Sequence, residues 1–176
     1  YMADAVSKEI GNTYKSLKII YSKEDEPLGT AGALKLAVPY FNSEYILVMN
    51  GDSYVEVDLN KFFNWNFTMD CTASIVISHI DDVSRYGQVL VSEEDQIVSF
   101  EEKGVEPGPG WINAGVYLLK NETLKYLPRI TSSSLEEQFF PSLVGKGLFG
   151  FQSNGNFIDI GTPESFAKAE LFIGIK

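Results

Sequence analysis

Two carboxylates stand where strand signals run out. Asp52 follows the continuous apolar run Tyr45-Ile46-Leu47-Val48-Met49 through Asn50-Gly51, and Asp159 falls near the end of the strand signal Asn156 to Ile160, two residues before Gly161. In open α/β sheets ligands gather at the carboxyl ends of strands. Two acids there, with no histidine or thiolate beside them, have the chemistry to hold Mg²⁺ on a polyphosphate. The same two acids also read as a turn cap and a helix cap, and spacing leaves both readings open. Glu102-Lys103 closes the strand signal that starts at Gln96. Neighbours on an extended chain point to opposite faces, so one could take a sugar hydroxyl and the other a phosphate; the alternative is a pair of solvated charges beside a loop. Asn113-Ala114-Gly115 interrupts the apolar stretch Trp111 to Leu119. A glycine and an amide inside a strand indicate either a ligand lying against the backbone or a bulge. Pro27-Leu28-Gly29-Thr30-Ala31-Gly32-Ala33 places glycines and a threonine at a helix start, where N–H groups point outward and backbone can approach a ligand, although both residue types also cap helices structurally. His79 has no triad-like companions and reads as a hydrogen-bonded structural residue; Cys71 reads as core.

These residues need a layered frame. Met2, Val6 and Ile10 recur at helical spacing and Gly11 stops the pattern. Leu17 to Ser22 predicts a strand and Ala31 to Val38 a helix ended before Pro39. The run at 45–49 predicts a strand buried on both faces. A helix from Leu59 to Asn66 follows Asp58 as N-cap, and Cys71 to Ser78 predicts a second buried strand. Gln88 to Ser92 and Gln96 to Phe100 predict a hairpin, and Gly104 to Gly110 a loop. Asn121 to Leu127 predicts a short helix, and Ser134-Leu135-Glu136-Glu137 a capping box opening a helix that ends near Gly147. Leu148 to Ser153 and Asn156 to Ile160, joined by Asn154-Gly155, predict a second hairpin. Thr162-Pro163-Glu164 starts the last helix. The alternation of these signals predicts an α/β domain with a mixed sheet.

Composition bounds the function. The 176 residues carry 44% hydrophobic and 13% aromatic residues, enough for a packed core. Fourteen basic against 24 acidic residues give a net charge of −10, which argues against a nucleic-acid or anionic-membrane partner. A phosphorylated substrate stays open, because a divalent metal and a few placed cations handle phosphate locally. One cysteine and one histidine make neither a disulfide nor a zinc site, and a reducing, cytoplasmic setting is expected.

Taken in order, six segments resemble the sugar-1-phosphate nucleotidylyltransferases. They are Pro27-Leu28-Gly29-Thr30-Ala31-Gly32-Ala33-Leu34, Asn50-Gly51-Asp52, Arg85-Tyr86-Gly87, Phe100-Glu101-Glu102-Lys103, Ile112-Asn113-Ala114-Gly115-Val116-Tyr117 and Phe157-Ile158-Asp159-Ile160-Gly161-Thr162. Within that family the chain looks most like the guanylyltransferases for mannose 1-phosphate and D-glycero-D-manno-heptose 1-phosphate. The resemblance implies a Rossmann-like mixed-sheet fold of the nucleotide-diphospho-sugar transferase (GT-A-like) type. It implies Asp52 and Asp159 on Mg²⁺, Lys103 on the sugar phosphate, and Gly29 with Thr30 on the nucleotide. It places Gly87, Glu102, Asn113, Gly115 and Thr162 on the sugar side. The reaction implied is attack of a sugar-phosphate oxygen on the nucleotide α-phosphorus with release of pyrophosphate, a chemistry of positioning and charge neutralisation.

Two departures from the pattern stand out. Gly104 follows the Glu-Lys pair where the family usually has proline. The Gly-x-Gly-Thr-Arg loop at the family's front has no counterpart, so the expectation is a single domain over 1–176 without its first ~50–60 residues, meaning first strand, phosphate loop and first helix. Each lost phosphate donor commonly removes several kcal/mol of transition-state stabilisation, so the chain alone is expected to be nearly inactive. Glu24, five residues before Gly29, is suited to accept the N1–H and 2-amino donors of guanine, with Glu26 as second choice; a solvated acidic loop is the alternative. The substrates expected are a nucleoside triphosphate, GTP first, and a sugar 1-phosphate. Two other functions remain open: a GT-A glycosyltransferase, disfavoured because Asp52-Ser53-Tyr54 lacks the second acid of Asp-x-Asp, and a non-catalytic sugar-nucleotide-binding regulatory subunit. A homo-oligomer also stays open.

Overall fold

The computed structural model describes residues 2–101, 106–128 and 132–173. Its centre is a four-stranded mixed sheet of β3 (Tyr45–Met49), β5 (Ala73–Ile80), β8 (Gly110–Lys120) and β9 (Leu148–Ser153), in the order β3-β8-β5-β9. β8 runs antiparallel to both its neighbours, and β5 is parallel to β9. Alternation along the two central strands sends side chains to two separate cores. Ile75, Ile77, Tyr117 and Leu119 pack on one face with Phe139, Phe140 and Leu143; Val76, Val116 and Leu118 pack on the other with Val55 and Phe62. Both faces of β5 and β8 are therefore covered, which is why they read as near-continuous apolar runs.

Helices and hairpins close the two faces. α2 (Gly29–Ala37) lays Ala31 and Leu34 on the first core. α3 (Leu59–Thr68) starts at Asp58, whose carboxylate accepts from the N–H groups of Asn60 and Lys61, and buries Phe62 against the second core. Burying one such aromatic is worth about 1.5–3 kcal/mol. β6 (Gln88–Val91) and β7 (Ile97–Glu101) form the expected antiparallel hairpin. α1 (Ala3–Ile10) ends at Gly11, whose N–H donates to the Ser7 carbonyl, but buries none of its residues. At the other end α5 (Pro163–Ile173) starts at Thr162, whose hydroxyl accepts from the Ser165 N–H. No helix among the described residues is long and apolar enough to cross a membrane.

Five expectations are corrected. The segments at 148–153 and 156–160 do not form a hairpin. β9 joins β5, whereas β10 (Phe157–Asp159) pairs antiparallel with β4 (Ser53–Val55). Asn154-Gly155 is a crossing between the two sheets, set against Glu56: the Ser153 hydroxyl donates to the Glu56 carbonyl and the Glu56 N–H to the Asn156 carbonyl. The strand signal at 17–22 yields only β2 (Leu17–Lys18), paired with β1 (Thr13–Tyr14) and exposed. The apolar run of β3 is not buried on both faces: it is an edge strand among the described residues, Ile46 alone is buried, and Met49 is 57% exposed. The helix opened by Ser134 begins as a π-helical turn, Leu135–Phe139, passes into α4 (Phe140–Leu143) and ends at Val144. The wider turn moves the reciprocal cap one residue on, so Gln138 rather than Glu137 accepts from the Ser134 N–H. The short helix expected at 121–127 is a 3₁₀ turn over Asn121–Tyr126.

Candidate functional site

A cleft of about 410 Å³ opens where β4, β10, the hairpin β6–β7 and the first turn after Ser134 meet the middle of β8. Asp52 and Asp159 stand on one wall. Asp159 pairs across the ladder with Ser53, and the Ile160 N–H donates to the Asp52 carbonyl, so the two acids occupy adjacent ends of antiparallel strands. Gly161 lies between them: a Cβ added there would be 2.9 Å from Asp159 Oδ1 and 3.9 Å from Asp52 Oδ2. One oxygen of each carboxylate thus lies within 4 Å of the same position. Asp159 also accepts from the Gly161 N–H at 2.7 Å, a bond within the turn; the cap of the following helix is Thr162, not Asp159.

The bulge and the close-backbone reading of Asn113-Ala114-Gly115 resolve in favour of the bulge. Ile75 faces Tyr117 and Ile77 faces Asn113, so β8 spends extra residues over a short stretch of β5. Gly115 takes φ +77°, and a Cβ there would collide with Ser53 Oγ at 2.5 Å and Asn50 Nδ2 at 2.9 Å. Gly115 is therefore behind the cleft, whereas the bulge turns Asn113 into it. Asn113 is held at both ends of its amide: Oδ1 accepts from the Gly115 N–H at 2.9 Å and Nδ2 donates to the Tyr117 hydroxyl at 3.0 Å. Gly87, in a tight turn with its N–H on the Val83 carbonyl, lines the same cleft beside Arg85 and Tyr86. Tyr86 sits edge-on to Phe157, which links this turn to β10.

The nucleotide-side candidates form an adjoining depression that shares Ser134, Glu136 and Glu137 with the cleft. Gly29 has φ +72°, and a Cβ there would run into the Ser133 carbonyl, so glycine is required by the chain itself. Around it the Ala31 N–H donates to Ser133 and the Ser133 N–H to the Leu28 carbonyl, both at 2.9 Å. The Thr30 hydroxyl donates to Glu136 Oε2 at 3.2 Å and accepts from the Leu135 N–H at 2.8 Å. Glu24 turns inward: its carboxylate accepts from the Leu28 N–H at 2.8 Å and closes the loop that precedes α2. Glu26 is exposed. Thr162 is committed to the start of α5 and does not line the cleft. Glu102 and Lys103 lie outside the described residues.

Sequence reading passed over four side chains here. Glu136 was read only as part of a cap, yet it receives the Tyr117 hydroxyl at 3.1 Å, the Ser134 hydroxyl at 2.9 Å and Thr30. Burial, helped by the Glu136 charge, pushes the Tyr117 phenol well above its ordinary value, so it stays protonated and donates. Asn50 and Arg85 were read only as parts of the segments that carry the resemblance. His79, read as a hydrogen-bonded structural residue, is exposed, edge-on to Trp111, with no side-chain hydrogen bond among the described residues. Cys71 is buried, and burial pushes its thiol up to about 12, as expected of an inert core cysteine.

The family profile described as nucleotidyl transferase matches residues 1–174. The chain belongs to the nucleotidyl transferase family. It is 32% identical over 171 residues to the D-glycero-alpha-D-manno-heptose 1-phosphate guanylyltransferase of Aneurinibacillus thermoaerophilus, covering 97% of this chain and 74% of that protein. It is 30% identical to the mannose-1-phosphate guanylyltransferase of Mycobacterium tuberculosis, covering 90% of this chain but only 46% of that one. Among solved structures it resembles HddC from Yersinia pseudotuberculosis complexed with GMP-PN, with TM-score 0.80 and 34% identity over 96% of this chain and 73% of that one. The GT-A-like mixed-sheet fold expected from the sequence is the fold of this nucleotidyl transferase.

The donor set can be tested for a metal. Among the described residues no group of three or more His, Cys, Asp or Glu side chains is arranged to hold an ion. Two neighbouring carboxylates on one cleft wall fit Mg²⁺, which keeps several waters and completes its shell with substrate phosphate. Five carboxylates (Asp52, Glu101, Glu136, Glu137 and Asp159) against one described cation, Arg85, line the cleft. An anionic phosphate entering such a cleft needs a counter-charge brought with it.

Proposed function

We propose that the cleft belongs to a cytoplasmic site that transfers a nucleoside monophosphate, GMP from GTP, onto a sugar 1-phosphate with release of pyrophosphate, residues 1–176 forming one unit that holds both ligand halves but is nearly inactive alone. The observation that carries this reading is that Asp52 and Asp159, each with an oxygen within 4 Å of one position at Gly161, line a cleft that also holds Asn113 and Gly87. The names of the relatives support guanine and a manno-configured sugar phosphate. Asp52 and Asp159 would hold Mg²⁺, which when bound neutralises phosphate charge as pyrophosphate departs. Asn113 and Gly87 would fix the sugar so that a phosphate oxygen lies in line with the α-phosphorus, and Lys103 would sit on the sugar phosphate. Gly29 and Thr30 would carry the nucleotide against the start of α2. Glu24, occupied by the Leu28 N–H, shapes that loop, and its remaining carboxylate oxygen is the one available to guanine.

A thermal melt of the chain with Mg²⁺ and, in turn, GDP-mannose, UDP-glucose, dTDP-glucose and CDP-glucose tests the reading. A ligand that binds only the folded state raises the midpoint. A rise with GDP-mannose alone is expected; an equal rise with all four would remove the guanine assignment, and none with any would remove the site.

A further inference from the structure

We infer that Glu136 is a positioning residue that couples the nucleotide loop to the sugar pocket through a continuous hydrogen-bonded chain, Thr30–Glu136–Tyr117–Asn113. The inference deepens the functional reading above and rests on it for the identity of the two ligand halves. The chain crosses three elements that are distant in sequence. Thr30 is on α2, Glu136 is in the π-helical turn, and Tyr117 and Asn113 are on β8. The links are 3.2 Å from Thr30 Oγ1 to Glu136 Oε2, 3.1 Å from the Tyr117 hydroxyl to Glu136 Oε1, and 3.0 Å from Asn113 Nδ2 to the Tyr117 hydroxyl.

The direction of every proton in this chain is fixed. An ionised carboxylate only accepts, so the hydroxyls of Thr30, Ser134 and Tyr117 all donate to Glu136. Thr30 Oγ1 then has its lone pairs for the Leu135 N–H, and Ser134 Oγ for the N–H groups of Glu136 and Glu137. The Tyr117 oxygen is left to accept from Asn113, which fixes the orientation of an amide that faces the cleft. An amide at position 136 has one oxygen for three donors that approach from two sides, so one side must let go. The bulge at Gly115 and the π-helical turn are both departures from regular geometry, and both place members of this one network; bulges and π turns recur where a side chain has to be re-aimed.

The consequence is reciprocal. Filling the nucleotide side stiffens Thr30 and through Glu136 presets Asn113, and filling the sugar side does the reverse by the same factor. Tyr117 separates this from a direct ligand contact, because its side chain is fully buried in the core. Tyr117→Phe is expected to weaken GMP binding several-fold, though GMP occupies the other side, and Thr30→Val to weaken mannose 1-phosphate binding several-fold. Glu136→Gln should weaken both. In the ligand-free protein, Tyr117→Phe should also raise amide hydrogen exchange across residues 28–31 and at 135. A Tyr117→Phe variant that melts lower but leaves GMP affinity and exchange at 28–31 unchanged would overturn the inference, since that is what a merely structural hydroxyl does. If the wild-type chain binds neither GMP nor mannose 1-phosphate, the functional reading fails on its own, while the exchange at 28–31 still decides whether the network transmits.

Discussion

The two walls of the cleft are built on opposite terms. On the wall formed by β8 and the π-helical turn, the polar groups are already spent: Asn113, Tyr117, Glu136 and Thr30 satisfy one another through hydrogen bonds of 3.0–3.2 Å. On the wall formed by β4 and β10, Asp52 is exposed and has no side-chain hydrogen bond among the described residues, and Asp159 keeps one oxygen on the Gly161 N–H. The satisfied wall positions, because its groups have one arrangement available to them. The open wall is the one suited to binding, because solvated charges would exchange water for an ion and a phosphate at little penalty. Polar satisfaction, more than residue type, separates the two roles in this cleft.

Breaking the open wall should have the largest effect on function and almost none on the fold. Asp159→Asn or Asp52→Asn is expected to lower Mg²⁺-dependent binding about 10²-fold or more. The unfolding free energy should stay within about 0.5 kcal/mol for the exposed Asp52. Urea denaturation beside a binding titration checks both halves. A large loss of stability would mean that Asp52 is structural.

The closed wall should behave in the opposite way. Gly29→Ala forces a side chain to φ +72° and into the Ser133 carbonyl, so it is expected to destabilise by about 1–3 kcal/mol. The same holds for Gly115→Ala, which meets Ser53 and Asn50. Tyr117→Phe leaves Asn113 Nδ2 and Glu136 Oε1 each without a partner, and about 1 kcal/mol of stability should go with it. Denaturant midpoints of the three variants rank these effects; a Gly29→Ala midpoint equal to wild type would show that the Ser133 contact yields.

The smallest effect lies away from both walls. Asp70, hydrogen-bonded to Lys120 at 2.9 Å, has its carboxyl held below the ordinary 3.8 by that ammonium. A depressed acid contributes stability above its unfolded value, and that contribution disappears as pH falls through the folded one. Asp70 is solvent-exposed, so screening leaves little of it. Asp70→Asn should therefore flatten the acid limb of the stability profile, below pH 3.8, only slightly.

Legibility in the sequence followed the same division. The open wall could be read, because an acid at the end of an apolar strand is a local pattern, as with Asp52 after 45–49. The central strands β5 and β8 were legible for the same reason, their buried runs being continuous. The closed wall was not: Glu136 looks like a capping residue in its own segment, and only tertiary contact with Thr30, 106 positions away, reveals its second task. The hairpin expected at 148–160 failed because a turn signal records where the chain reverses or crosses, and says nothing of which strand each arm joins. The edge position of β3 was equally hidden, since an apolar run has the same composition whether one face or two are covered.

The measurement that bears most directly on the account is calorimetric titration of GDP-mannose into the wild-type chain with Mg²⁺ and again with excess EDTA, repeated on Asp159→Asn. The account predicts at least ten-fold tighter binding with Mg²⁺ in the wild type and no such difference in Asp159→Asn. Equal affinity with Mg²⁺ and with EDTA would contradict it.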